Sequence, residues 1–227
     1  AKAPQTVCDL GCGPGNVTAL LARRWPGARV IGVDQSEAML DKARAHHPGI
    51  EFVAADLATY HPEAPADVIV ANAALHWLSG HAGLFPALGR ALAPNGVLAV
   101  QMPHADDQPS HLLMAESAKS GPWRAKALAA LPRYPDHAPA DYYGWLAGVC
   151  RTVDIWETVY LHALAGENPV LEWMKGAALR ALLAALSPEE QNGFLADYRA
   201  RLAQAYPRLA DGTTLFPFRR LFIVAVK

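Results

Sequence analysis

The sequence predicts an α/β fold, a Rossmann-like, doubly wound sheet with helices on both faces, and three observations carry that prediction. Short apolar runs alternate with segments of helical period from Val7 to Val100, and strands joined through helical connections of this length pair in parallel. The first run, Val7-Cys8-Asp9-Leu10, breaks into Gly11-Cys12-Gly13-Pro14-Gly15 immediately before a helical pattern. The runs carry polar residues at their ends, Asp9, Asp34, Asp56 and Asn72, in keeping with ligands binding at the carboxyl ends of parallel strands.

Glycine lacks a Cβ, so the turn from Gly11 to Gly15 takes positive φ and lets a ligand lie against the backbone. The helix behind it points its N–H groups and positive dipole end at the same spot. Val17, Leu20 and Leu21 form the inner face of that helix, and Pro26-Gly27 closes it. The second run, Arg29 to Val33, ends in Asp34, and Ser36 caps a helix with Met39, Leu40 and Ala43 inward. The third run, Phe52 to Ala55, ends in Asp56, and the fourth, Val68 to Ala71, ends in Asn72-Ala73-Ala74-Leu75-His76-Trp77. Leu84, Phe85, Leu88 and Leu92 share one helical face, after which Pro94-Asn95-Gly96 turns the chain into a fifth strand, Val97 to Val100.

From Met102 to Asp141 the chain holds Pro103, Pro109, Pro122, Pro132, Pro135 and Pro139, and loops with short helices are expected at the mouth of the site. Tyr142 to Val149 reads as a helix and Thr152 to Ala163 as a long strand rich in β-branched and aromatic residues. Two helices follow. The second opens on the capping box Ser187-Pro188-Glu189-Glu190, with Phe194, Leu195, Tyr198 and Leu202 inward. Leu221 to Val226 is an unbroken apolar strand suited to burial on both sides.

At 227 residues the chain fits one α/β domain, 1–227, with helical cap elements within about 103–148 and 167–206. A net charge of −1 without a clustered cationic face argues against a nucleic-acid or membrane-surface partner and for a small molecule. The three cysteines, Cys8, Cys12 and Cys150, make no even disulfide set, and no pattern of metal ligands is present. No apolar run approaches the roughly 20 residues that span a bilayer, and a signal peptide is not expected. A cytoplasmic monomer is expected.

The dinucleotide fingerprint requires G-x-G-x-x-G, whereas this turn reads G-x-G-x-G with Asn16 at the third spacing. Asp9 would oppose a phosphate but suits the ammonium of a methionine moiety, which favours S-adenosylmethionine over NAD. In that reading Asp34 takes the ribose hydroxyls, Asp56 the adenine amino group, and Met39 flanks the base. Gly11, Cys12, Gly13, Gly15, Gln35, Leu57 and Asn72 complete the expected cofactor set. An NAD-dependent oxidoreductase is the alternative that the turn alone leaves open.

With Asp9-Leu10-Gly11-Cys12-Gly13-Pro14-Gly15, Asp34, Asp56 and Asn72 in place, the chain resembles the class I S-adenosylmethionine-dependent methyltransferases. A narrower resemblance runs over nearly the whole chain. It rests on Asn72 to Leu78, Leu98 to Pro103, Val153 to Thr158 with Tyr160 and His162, and Phe216 to Ala225, and it points to the branch that esterifies a small unsaturated polycarboxylic acid of the trans-aconitate kind. The resemblance implies a seven-stranded sheet with the last strand antiparallel. It also implies N-terminal helices closing over cofactor and acceptor, which have no counterpart in these residues, and it is weakest from Gly121 to Asp141.

Methyl transfer to a carboxylate needs no general base, because a carboxyl titrating near pH ~4 is already ionised at neutrality. The enzyme aligns the reactants and excludes water, and a polyanionic acceptor requires cations and hydroxyl donors. His76 and Trp77 are expected at the transferred methyl as the catalytic pair. Tyr142 and Tyr143, of which at most one can face the site, and Arg219 and Arg220, which alternate along a strand, are the expected acceptor-binding residues. An O- or N-methyltransferase with another small acceptor, and a non-catalytic cofactor-binding module, are the competing functions.

Overall fold

Val7, Cys8 and Leu10 are almost wholly buried, because β1 (Thr6–Leu10) lies inside the sheet with a parallel neighbour on each side. The computed structural model describes residues 3–132, 137–176 and 178–227. From β1 the chain passes through α1 (Asn16–Arg24), β2 (Arg29–Asp34), α2 (Glu37–His46) and β3 (Glu51–Ala54), then crosses to the other side of β1 for β4 (Ala66–Asn72). That reversal between β1 and β4 is the crevice where open α/β sheets bind ligands. A 3₁₀ turn (Leu75–Trp77), α3 (His81–Arg90) and β5 (Leu92–Pro103) follow. Next come α4 (Pro109–Lys119), α5 (Arg124–Ala130), α6 (Pro139–Ala147), β6 (Thr152–Leu164), α7 (Pro169–Lys175), α8 (Arg180–Ala184), α9 (Pro188–Ala205) and β7 (Thr214–Val226). The seven strands run in the order β3-β2-β1-β4-β5-β7-β6, with β7 antiparallel to β5, as the resemblance implied.

Two compact units make up the chain: residues 1–103, 134–158 and 220–227, and residues 104–133 with 159–219. The first is built on the apolar faces of the sheet, with Leu10, Ile69, Leu75, Phe85, Leu98, Tyr142, Leu146 and Ile223 in one core. In the second, Phe194, Tyr198 and Phe216 are fully enclosed with Trp123 and Met174 against them. Two hydrogen bonds fasten that core to backbone: Tyr198 Oη donates to the Ser110 carbonyl at 2.8 Å and Trp123 Nε1 to that of Ser117 at 2.8 Å.

Several sequence expectations are corrected. Leu20 is 56% exposed, and α1 buries Thr18 and Ala19 instead. Leu92 belongs to β5 and pairs with Ala66, so α3 ends at Arg90. Pro94-Asn95-Gly96 is an irregularity inside β5, with Asn95 at φ 62°. Among the described residues three helices follow β6, since α8 is a five-residue piece that a period count cannot resolve. Of the six prolines between Met102 and Asp141, Pro109 and Pro139 open helices at their first turn, where a missing N–H costs nothing; Pro135 lies outside the described residues. Among the described residues no helix is long and apolar enough to cross a membrane.

Candidate active site

Gly11, Gly13 and Gly15 all hold positive φ, at 73°, 52° and 84°, but they serve different ends. A Cβ on Gly11 would stand 2.2 Å from the Cβ of Ala74, so this glycine lets the turn after β1 pass against the end of β4. A Cβ on Gly13 would meet nothing within 4 Å. The backbone there faces open space, and a ligand can lie on it.

The amides of the turn are occupied. Gly11 and Cys12 both donate to the Val33 carbonyl at 2.7 and 3.0 Å, Gly15 donates to that of Cys12 at 3.0 Å, and Gly13 donates to Asp34 Oδ2 at 2.8 Å. Pro14 has no N–H. Between Gly11 and Gly15 the turn therefore leaves no amide free for a pyrophosphate.

Asp34 joins the second strand to this turn. Its Oδ2 takes the Gly13 N–H, and its Oδ1 takes the Ser36 N–H at 2.9 Å. Ser36 leads α2 without a side-chain cap bond of its own. The carboxylate is only half-buried, and its remaining lone pairs are available to ribose hydroxyls. Asp9, expected beside an ammonium, lies beneath the turn with 1% of its surface exposed and accepts the Thr18 hydroxyl at 2.6 Å. Burial, opposed by Thr18 and helped by the charge of Asp34, lifts its carboxyl to about 6. Its ionisation thus weighs against the fold at neutral pH, a penalty relieved as pH falls from about 6 toward the ordinary value of 3.8. Cys12 is likewise buried, its thiol pushed up to about 12 by burial, so it contributes packing and backbone rather than a nucleophile.

Further strand ends complete the rim. Asp56 is exposed and its Oδ1 accepts the Ala58 N–H at 2.9 Å, while Leu57 is buried close to Gly11. Gln35 is exposed and Met39 is 40% exposed, a placement that suits a wall against a base better than the core position its spacing predicts. Asn72 is exposed at the end of β4 and paired in register with Gln101 of β5. Ala73 follows at φ 53°, a backbone that a residue with a Cβ adopts at a cost of about 1–2 kcal/mol.

His76 is buried and Trp77 is 54% exposed, their rings 4.6 Å apart. Burial first, then the Arg220 cation, lowers the His76 pKa to about 4, so the imidazole is neutral at physiological pH. Arg220 donates from a guanidinium nitrogen to Gln101 Oε1 at 3.1 Å. Arg219 belongs to the second unit, where its Nε donates to the His104 carbonyl at 2.8 Å and its guanidinium pairs with Asp107. The alternation expected of these two is interrupted: the buried positions of β7 are even-numbered up to Phe218 and odd-numbered from Leu221.

Tyr142 lies in the core. It is 2% exposed, and its hydroxyl lies 2.8 Å from His81 Nδ1, while His81 Nε2 is 2.9 Å from the Leu75 carbonyl. The carbonyl can only accept, so Nε2 carries the proton and Nδ1 accepts from Tyr142. The pair anchors the turn that carries His76. Tyr143 is 55% exposed on the other side of α6. Sequence reasoning missed His81, Thr18 and Gln101. Only Gln101 left a signal, since it stands one residue beyond the predicted fifth strand, level with Asn72.

A model of the methyltransferase domain matches residues 7–96. A trans-aconitate 2-methyltransferase from Methylobacterium nodulans is 50% identical over 224 residues, covering 98% of this chain and 87% of the relative. Another from Azoarcus sp. is 49% identical over 222 residues, with 98% and 87% covered. Among solved structures, the YcgJ protein of Bacillus subtilis superposes with a TM-score of 0.62 at 15% identity, covering 100% of this chain and 93% of that one. A Haemonchus contortus phosphoethanolamine N-methyltransferase 2 in complex with S-adenosyl-L-methionine gives 0.58 at 20% identity, covering 100% and 49%. At these identities the solved structures establish the fold alone.

Proposed function

The chain belongs to the trans-aconitate 2-methyltransferases, a family of S-adenosylmethionine-dependent enzymes, and from that premise we propose that it converts one carboxylate of trans-aconitate into a methyl ester. When bound, S-adenosylmethionine supplies a methyl carbon made electrophilic by its sulfonium. Gly13 would offer it open backbone, Asp34 acceptors for its ribose, Asp56 and Met39 a site for its base, and Asn72 a further polar contact. The acceptor oxygen is already an anion, so no residue has to remove a proton. His76, neutral and buried, borders the reacting atoms without holding a charge that would compete for the acid, and Trp77 shields them from water. A cytoplasmic, monomeric enzyme acting on a free acid fits the near-zero net charge and the three free, buried cysteines.

The observation that supports this acceptor best is Arg220, whose guanidinium is held by Gln101 Oε1 at 3.1 Å and would give a polycarboxylate a charge-assisted partner. Each arginine should be replaced by methionine, keeping the stem and removing the charge. Arg220→Met should raise the trans-aconitate KM about 10–100-fold, the loss of a charge-assisted contact, with cofactor affinity unchanged. Arg219→Met should leave the KM near wild type, since its partners are Asp107 and a backbone carbonyl. Equal, small effects in steady-state kinetics would mean that the acid is held elsewhere.

A further inference from the structure

Deepening that reading, and resting on it, we infer that Gln101 binds the acceptor acid together with Arg220: its side-chain amide donates to the same carboxylate that the guanidinium holds. The orientation of the amide follows from its neighbour. A guanidinium has only donors, so the contact of 3.1 Å with Arg220 must be made by Oε1, which turns the –NH2 the other way. That nitrogen is shielded from solvent and has no acceptor among the described residues.

Buried amide donors are almost always paired, and a methionine of similar size would fill the position without an unmet donor. The amide is therefore explained by an acceptor that arrives with a ligand. A carboxylate is acceptor-only, which is the complement of a guanidinium and an amide N–H side by side. The placement suits the reacting acid. Gln101 is the register partner of Asn72, and its carbonyl takes the Ala73 N–H at 2.8 Å, so it is fixed at the strand end that leads to His76. With Asn72 it supplies the polar end of an otherwise apolar groove of about 290 Å³ whose walls include Val17, Val100 and Phe222. For one carboxylate to meet both groups, the Gln101 amide must turn its –NH2 toward the Arg220 side as the acid enters.

Two variants separate binding from bracing. Gln101→Met removes both contacts, and Gln101→Glu keeps an acceptor for Arg220 while replacing the donor with a second anion. Acceptor KM, cofactor affinity by calorimetry and thermal midpoint should be measured for both beside the wild type. Gln101→Met should raise the trans-aconitate KM about tenfold or more, with cofactor affinity unchanged and a midpoint no lower than wild type, because an unmet donor is lost. Gln101→Glu should raise the KM at least as far. A lower midpoint in Gln101→Met with full activity in Gln101→Glu would show a brace for Arg220 and overturn the inference, as would an unchanged KM in Gln101→Met. If the wild type itself ignores trans-aconitate, the acceptor assignment falls and this inference falls with it; if the wild type and both variants turn it over alike, only the inference falls.

Discussion

Gly11→Ala should lose about 3 kcal/mol of stability, whereas Gly13→Ala should lose about 1 kcal/mol and yet bind the cofactor more weakly. Both positions hold positive φ, at 73° and 52°, so both variants carry the backbone strain of about 1–2 kcal/mol that a Cβ suffers there. Only Gly11 adds a clash, because the new methyl would lie 2.2 Å from the Cβ of Ala74. Ala74 is itself buried at the end of β4, and forcing it aside adds an overpacking cost of about 1–3 kcal/mol. The Gly13 methyl projects into the open side of the turn and costs the free protein only its strain, but it occupies the space the cofactor needs. Denaturant midpoints and calorimetric titration with S-adenosylhomocysteine check both halves. Equal stabilities in the two variants would mean that the turn does not press on the end of β4.

Asp34→Ala should weaken cofactor binding about 10–100-fold and destabilise the turn by about 1–2 kcal/mol. Two backbone donors lose their acceptor, the N–H groups of Gly13 and Ser36, and the ribose loses a carboxylate. The stability loss stays modest because the site is half-buried and water can reach the freed amides. Asp34→Asn retains one oxygen and should fall between the two, because its –NH2 cannot accept either amide. Unchanged cofactor affinity in Asp34→Ala would reduce this residue to a clasp between β2 and the glycine turn.

The sheet was legible because its signals are local. Each of the first five strands is an apolar run bounded by turn residues, and their parallel pairing follows from the helical connections between them. The antiparallel β7 was not legible from period, since an apolar run reads the same in either direction; it came from resemblance. Two helix faces were legible only in part. Leu20 and Met39 sit at helical spacing, yet α1 buries Thr18 and Ala19, small residues that apolar counting ranks too low, and α2 buries Leu40 and Ala43, as expected, but not Met39.

Around the candidate site, the glycine turn and the strand ends stand where the sequence puts them, because their positions follow from strand length alone. The pairing of Tyr142 with His81 was not legible, because the two lie sixty-one residues apart in sequence and no local pattern pairs them. The burial of Asp9 is hidden for a related reason: strand alternation says which face a side chain takes, and only the packed Thr18 shows how enclosed that face is. Arg219 and Arg220 were read as alternating, and the change of parity between Phe218 and Leu221 is a tertiary feature that the apolar pattern does not announce.

The most direct test is product analysis by mass spectrometry after the purified protein is incubated with S-adenosylmethionine and a mixture of di- and tricarboxylic acids and small amines. A methyl ester of trans-aconitate, heavier than the parent acid by one methylene and cleaved by mild base, is the predicted product, together with S-adenosylhomocysteine. Transfer confined to an amine with every acid untouched would contradict it.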